Sequence, residues 1–198
     1  AAAKEAEALG AAVLARVCDV GDPEQVRSLV AAALGRFGAI DVLVNNAGVL
    51  GPRQPLAEVS HEDWKEVLRV NLSGVFHVTR EVLPAMLERR RGCVINVSSG
   101  AGRRGKAGFG PYAASKFGVE GLTQVWAQEC REAGIRFYSL SPGPTRTRMR
   151  SQAYPEEDPA GLKPPEAVGE AFLSLAKESC AIPTGAALQL DPATGRLL

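Results

Sequence analysis

Residues 93–116 read CVINVSSGAGRRGKAGFGPYAASK, and the fold is decided in this stretch. It opens with a short apolar run at 93–97, passes through glycine-rich chain, and enters a helical pattern at Tyr112 that lasts to 133. The run lacks two-residue alternation, as a strand does when both its faces are covered. Working outward, further apolar runs lie at 12–18, 41–45, 136–140 and 186–190. Amphipathic patterns fill the spaces at 23–37, 61–89 and 165–176. Strand and helix in alternation predict parallel strands joined by crossover helices, an α/β doubly wound sheet with helices on both faces. Chemical signals mark the boundaries. Asp22 before Pro23 is an N-cap followed by proline at the first helical position, and Ser60 with Asp63 repeats the capping pattern. Gly38 and Gly134 stand where a left-handed residue ends a helix.

Composition bounds the function. The chain has 198 residues, 45% hydrophobic and 23% charged, with 23 basic against 22 acidic side chains. One globular domain, 1–198, fits that balance, and the near-neutral charge argues against a nucleic-acid partner. No run reaches the ~18 apolar residues of a membrane helix and residues 1–10 hold no secretory segment, so a cytoplasmic protein without a membrane partner is expected. Cys18, Cys93, Cys130 and Cys180 are widely separated, and neither His61 nor His77 completes a ligand set, so no metal is expected. The cysteines read as small apolar residues in a reducing compartment.

The residues that carry chemistry are Ser99, Tyr112 and Lys116. Tyr112 and Lys116 are four apart at the start of a helix and share a face. An ammonium beside a phenol favours the phenolate and should lower the phenol's pKa from about 10, making Tyr112 a general acid/base. Ser99, at the end of the 93–97 strand, is placed to hold a carbonyl oxygen against that phenol. Taken alone, Y-x-x-x-K is also an ordinary surface pair.

Other motifs accompany it. Asn45-Asn46-Ala47-Gly48 follows an apolar run, Asn71 lies inside a helical pattern, and Pro142-Gly143 follows the next strand. Together with Ser98-Ser99 and the 13-residue step to Tyr112, this order and spacing resembles the short-chain dehydrogenase/reductase family, from Cys18 to Leu190. The resemblance implies a Rossmann-type fold and hydride transfer between NAD or NADP and a secondary alcohol/ketone pair. Tyr112 would move the proton, Lys116 would lower its pKa and bind the nicotinamide ribose, and Ser99 would orient the substrate oxygen. Asn71 would bend its helix and hold a water leading to Lys116. Asp19 and Val20 match the adenine contact, although Asp19 also reads as the cap of a turn with Gly21. Asn45, Ala47 and Gly48 would pass beside the adenine ribose. Pro142, Gly143, Thr145 and Thr147 match the turn around the carboxamide, Thr147 better than Thr145. The partners implied are a small carbonyl or alcohol substrate and further copies of the chain, as homodimer or homotetramer, packed through the helices at 61–89 and 112–133.

The sequence departs from the family at its start. No T-G-x-x-x-G-x-G turn, whose backbone N–H groups bind the cofactor's pyrophosphate, occurs in it. Residues 1–9 read as the end of a helix that follows the second strand. The expectation is a domain lacking the family's first two strands, with the residue that selects NAD or NADP. Residues 12–18 and 41–45 would then flank a gap of ~14 Å, three strand spacings. The 12–18 strand would shift across to pair, hang loose, or leave the gap to a partner chain. The alternative function is a non-catalytic assembly or regulatory homologue that has lost the phosphate site; the intact Asn71, Ser99, Tyr112 and Lys116 set favours an enzyme.

The long segment 142–165 reads as a lid. Its larger apolar residues are Met149, Tyr154 and Leu162, among arginines, acids and prolines. That composition suits a small or partly polar substrate, such as a 3-oxoacyl group on a larger carrier, better than a wholly apolar one. Arg103, Arg104 and Lys106, with Arg146, Arg148 and Arg150, read either as solvated loop cations or as attraction for an anionic substrate.

Overall fold

The computed structural model describes residues 2–198. Four strands, β1 (Val42–Asn45), β2 (Gly92–Val97), β3 (Ile135–Ser141) and β4 (Ala187–Gln189), form one parallel sheet in the order β1-β2-β3-β4. Val42 pairs with Cys93, Gly92 with Ile135, and Ser139 with Ala187. Following α1 (Ala2–Ala8), the helices are α2 (Pro23–Phe37), α3 (His61–Leu68), α4 (Gly74–Arg89), α5 (Gly110–Glu129), α6 (Arg148–Ala153) and α7 (Glu166–Ala176). The predicted caps form. Asp22 accepts from the N–H groups of Glu24 and Gln25, Ser60 accepts from that of Asp63, and Gly38 and Gly134 are left-handed.

The two faces of the central strands bury different partners. Val94, Ile135 and Phe137 face α2, α4 and α5, packing with Val26, Val82, Met86, Val119 and Trp126. Cys93, Ile95, Tyr138 and Leu140 point the other way, onto Val168, Ala171 and Leu175 of α7. This double cover explains why β2 and β3 read as continuous apolar runs.

Two expectations are corrected. The 61–89 pattern is not one α-helix, because a π-turn at Arg69–Ser73 divides it into α3 and α4. Residues 12–18 form no strand: they pair with nothing, and Val17 is wholly solvent-exposed. The physical reason is position. β1 is hydrogen-bonded to β2 alone, and no other backbone lies beside residues 12–18 to complete a ladder. The chain is caught again at Asp19, whose carboxylate receives Arg69 Nη1 at 2.8 Å.

Candidate active site

A cavity of about 1060 Å³ opens beyond the carboxyl ends of the strands, the side on which open α/β sheets bind ligands. Three loops wall it. The loop after β1 contributes Ala47 and Gly48, the chain after β2 contributes Ser99 and Lys106, and the lid contributes Pro142 to Thr145 with Met149 and Tyr154. Tyr112 and Lys116 form its floor.

Gly110 and Pro111 start α5, so Tyr112 falls in the first turn. Ser99 ends β2's extension, caps the turn Gly100–Gly102, and lines the cavity together with Tyr112. Lys116 is buried, its Nζ 5.7 Å from the centre of the Tyr112 ring and donating to the Val97 carbonyl at 2.8 Å. The expected depression of the phenol pKa is not found. Burial pushes Tyr112 above its usual value, against the pull of Ser99. Burial also brings Lys116 down to about 8, opposed by Glu120. A lysine directed at a carbonyl and half relieved of its charge near pH 8 does little to favour a phenolate that burial penalises.

Asn71 is fully buried within the π-turn. Its Nδ2 donates to the Val49 carbonyl at 2.8 Å and to Ser115 Oγ at 3.2 Å, while Oδ1 accepts from the Val49 N–H at 2.8 Å. The side chain therefore clasps the loop after β1 against α5. A Cβ on Gly48 would stand 3.3 Å from Asn71 Oδ1 and 3.9 Å from Lys116 Nζ, so only glycine leaves the full cradle beside the lysine.

The remaining predicted residues divide. Ala47, Gly48, Pro142, Gly143, Thr145 and Thr147 line the cavity; Asp19, Val20 and Asn45 do not. The Asp19 carboxylate accepts from the Gly21 N–H, forming the turn that was the competing reading, and is held by Arg69. Val20 packs against Gly74. Asn45 points into the molecule, donating to Thr79 Oγ1 at 3.0 Å and Asn96 Oδ1 at 2.8 Å. Thr145 donates to the Gly143 carbonyl, whereas the Thr147 hydroxyl accepts from Arg150 N–H and keeps its own proton to give.

Three features were missed in the sequence. Lys163 is buried and donates to the carbonyls of Pro144, Pro192 and Asp191 at 3.0, 3.2 and 3.3 Å, pinning the Pro142-Gly143-Pro144 turn. Lys106 reaches Tyr154 Oη at 2.6 Å, and Arg53 and Arg150 cover the Tyr154 ring at 4.9 and 3.9 Å. Arg103 is no loose loop cation, since it pairs with the buried Glu120. A charged residue at the predicted lid's end, or on the buried face of a helix, was the available signal.

The family profile described as short chain dehydrogenase matches residues 1–158. This chain belongs to the short-chain dehydrogenase family. The 3-oxoacyl-[acyl-carrier-protein] reductase FabG of Thermotoga maritima is 39% identical over 197 residues, 95% of this chain and 79% of its own. The uncharacterized oxidoreductase YciK of Escherichia coli is 37% identical over 156 residues, 79% of this chain and 62% of its own, so the chain matches under two thirds of that relative. An actinorhodin polyketide ketoreductase variant solved with NADPH superposes with TM-score 0.88 at 35% identity, covering 97% of this chain and 81% of that one. The chain is thus an NAD(P)-dependent short-chain dehydrogenase/reductase with a Rossmann-type parallel sheet. Among the described residues no helix is long and apolar enough to cross a membrane.

The residues present fit the nicotinamide end of such a cofactor. Gly48 leaves a cradle beside Lys116, the ammonium has donors beyond the one given to Val97, and Pro142, Gly143 and Thr147 close the opposite wall. The sequence supplies no glycine-rich turn for the pyrophosphate.

Proposed function

We propose that the cavity reduces a ketone of the 3-oxoacyl type to its secondary alcohol, with Tyr112, Lys116, Ser99 and Asn71 as its working residues. The observation that carries this reading is the meeting of Ser99, Tyr112 and the buried Lys116 in one cavity beyond the carboxyl ends of the strands. Ser99 and Tyr112 converge on one point, where a carbonyl oxygen accepts from both hydroxyls. The phenol that burial keeps protonated at neutral pH donates its proton to the oxygen as negative charge develops. Gly48 and the Pro142-Gly143 turn would hold the nicotinamide, whose chemistry when bound would be the supply of the hydride. Lys116 binds the ribose hydroxyls and returns a proton toward the phenol, and Asn71 holds the Gly48 loop in place for both. Thr147 is the side-chain donor toward the carboxamide.

The name of the Thermotoga relative supports an acyl substrate, as does the mixed mouth of the cavity, where Lys106 and Arg104 stand beside Phe109 and Tyr154. Phe76 on α4 and Phe117 and Val125 on α5 are exposed, and we assign this outward face to contacts between copies in a homodimer or homotetramer. Sedimentation giving only monomer at micromolar concentration removes that assignment.

The catalytic reading is tested by titrating the chain with NADH and NADPH and assaying a short 3-oxoacyl thioester. Tyr112→Phe is expected to lower kcat by at least ~10²-fold with cofactor affinity little changed. Near-normal kcat removes Tyr112 from the mechanism. A chain that binds neither cofactor and reduces no ketone favours the non-catalytic alternative.

A further inference from the structure

Four cations line the large cavity, Arg104, Lys106, Lys116 and Arg150, and no aspartate or glutamate does. Two of them are occupied. Lys116 donates to the Val97 carbonyl, and Arg150 is bound to Glu157 through Nε at 2.6 Å and Nη2 at 2.5 Å. Among the described residues, neither Arg104 nor Lys106 forms an ion pair. Their neighbour Arg103 is bound to Glu120 and the Leu188 carbonyl, so the run 103–106 is divided between the interior and the cavity mouth. Lys106 is held at that mouth. Its Nζ donates to Tyr154 Oη at 2.6 Å and lies 4.7 and 5.5 Å from the centres of the Tyr154 and Phe109 rings. An ammonium has three donors, and two remain. Arg53 stacks on the same two rings, 4.6 Å from Phe109 and 4.9 Å from Tyr154, and Arg150 covers Tyr154. Among the described residues, three cations thus crowd one aromatic pair, with Glu157 the one carboxylate bound to any of them. Like charges this close repel, and an incoming anion relieves the repulsion.

We propose that Lys106 and Arg104 form an anion subsite at the cavity mouth, which takes a carboxylate or phosphate group of the substrate. The proposal rests on the reading of the cavity as a ketone reductase and adds a substrate class: a ketone with an anionic oxygen group at its far end. Phe109 joins the two ends. Its buried ring lies 6.4 Å from the Tyr112 ring and 5.5 Å from Lys106 Nζ, so one small molecule laid along it reaches from the phenol to the ammonium. The ring gives apolar contact to the carbons between, while the free protons of Lys106 and the Arg104 guanidinium bind the anionic oxygens. A cleft lined by one sign of charge also focuses its field and draws the opposite charge in. Arg146 is exposed on the lid and does not line the cavity, so it has no part in the subsite.

The test is saturation-transfer NMR on the methyl protons of small ketones, titrated against the full chain without cofactor, so that no turnover enters. Levulinate is compared with its neutral methyl ester, and hydroxyacetone phosphate with hydroxyacetone. Each anion should bind about 5-fold more tightly than its neutral counterpart, the scale of two exposed ion pairs, and the larger preference tells carboxylate from phosphate. Lys106→Gln should lose about half of that preference in free-energy terms, and Arg104→Gln with Lys106→Gln should abolish it. Lys106→Arg should keep most of it, and Arg146→Gln all of it. Equal affinity of the wild-type chain for anion and neutral ketone, absence of binding by both included, overturns the proposal. So does an Arg146→Gln chain that loses as much as Lys106→Gln, because the attraction is then a property of the whole surface. If the double variant does not fold, an unchanged preference in Lys106→Gln alone overturns it instead. A chain that reduces no ketone leaves this binding result untouched, and failure here leaves Ser99, Tyr112 and Lys116 in their roles, so the two readings fail separately.

Discussion

Residues 12–18 and 93–97 read almost alike, AVLARVC and CVINV, yet they meet opposite fates. The second becomes the core of β2, paired on both sides and buried on both faces. The first is unpaired, with Val17 fully in solvent and Leu14, Ala15 and Arg16 standing out of the core. β-propensity measures how well a side chain fits a pleated, half-buried surface, and that surface is made by neighbours. β2 has β1 and β3 beside it, and its backbone groups are satisfied within the sheet. Residues 12–18 have only water for theirs, so extended chain costs them nothing and strand formation gains them nothing. The candidate site follows the same division. Ser99, Tyr112 and Lys116 hang from β2 and the helix packed on it, whereas Asp19 is held by the side chains of Arg69 and Gln25 and by its own turn, and Val20 rests on Gly74.

The comparison breaks most visibly if the core of β2 tolerates truncation. Ile95 is fully buried against α7. Ile95→Ala should cost about 2–5 kcal/mol in urea denaturation, combining lost transfer energy with the cavity left behind. A loss below about 1 kcal/mol would mean that the two segments differ less than their burial indicates.

A smaller effect, of opposite sign, is expected at the site itself. The Lys116 ammonium has a pKa of about 8 in the folded chain against its usual 10.5. The unfolded chain therefore binds more protons between those values, and stability rises with pH across the window as the buried charge is released. Below pH 8 the full penalty is present, about 3 kcal/mol from the size of the shift. Lys116→Met removes it and gives up the hydrogen bond to Val97, about 1 kcal/mol. Arg103 remains to neutralise Glu120. Lys116→Met should thus be more stable than wild type by about 2 kcal/mol at pH 7, with reductase activity lost, and the advantage should vanish by pH 10.5. Equal melting temperatures at pH 7 would show that the lysine is better solvated than its burial implies.

What was legible in the sequence was whatever depends on local chemistry. Caps at Asp22 and Ser60, left-handed glycines at 38 and 134, and apolar runs flanked by helices placed four strands and most helices to within a few residues. The spacing of Ser99, Tyr112 and Lys116 placed them in one cavity. What depends on neighbours was hidden. The fate of 12–18 was legible only as three alternatives, and hanging loose, the one found, could not be chosen without knowing what lay beside the segment. The division at Asn71 required knowing that Val49 would bond to both ends of its amide. The direction of the Tyr112 shift required burial, which spacing does not reveal, and Asn45 turned inward because Thr79 and Asn96 were there to receive it. Glu120 carried a readable signal, an acid on the buried face of α5 next to Val119, but no motif called attention to it.

The smallest expected effect is the sharpest test of the comparison. Val17→Ala removes two methyl groups that the folded chain leaves in water, so folded and unfolded states lose the same apolar contact with solvent. The change in stability should fall within ±0.5 kcal/mol, the range of surface substitutions away from packed features. Hydrogen exchange resolves the same point without a substitution. Amides at 12–17 have no acceptor in a ladder and should exchange at rates close to those of a free peptide, while Val94 and Ile95 should exchange only through global unfolding. Protection at Val13 or Val17 in solution, lost on dilution, would mean that a second copy of the chain supplies the missing neighbour. Protection that persists on dilution would mean that the segment pairs within its own chain, and the contrast with β2 would fail.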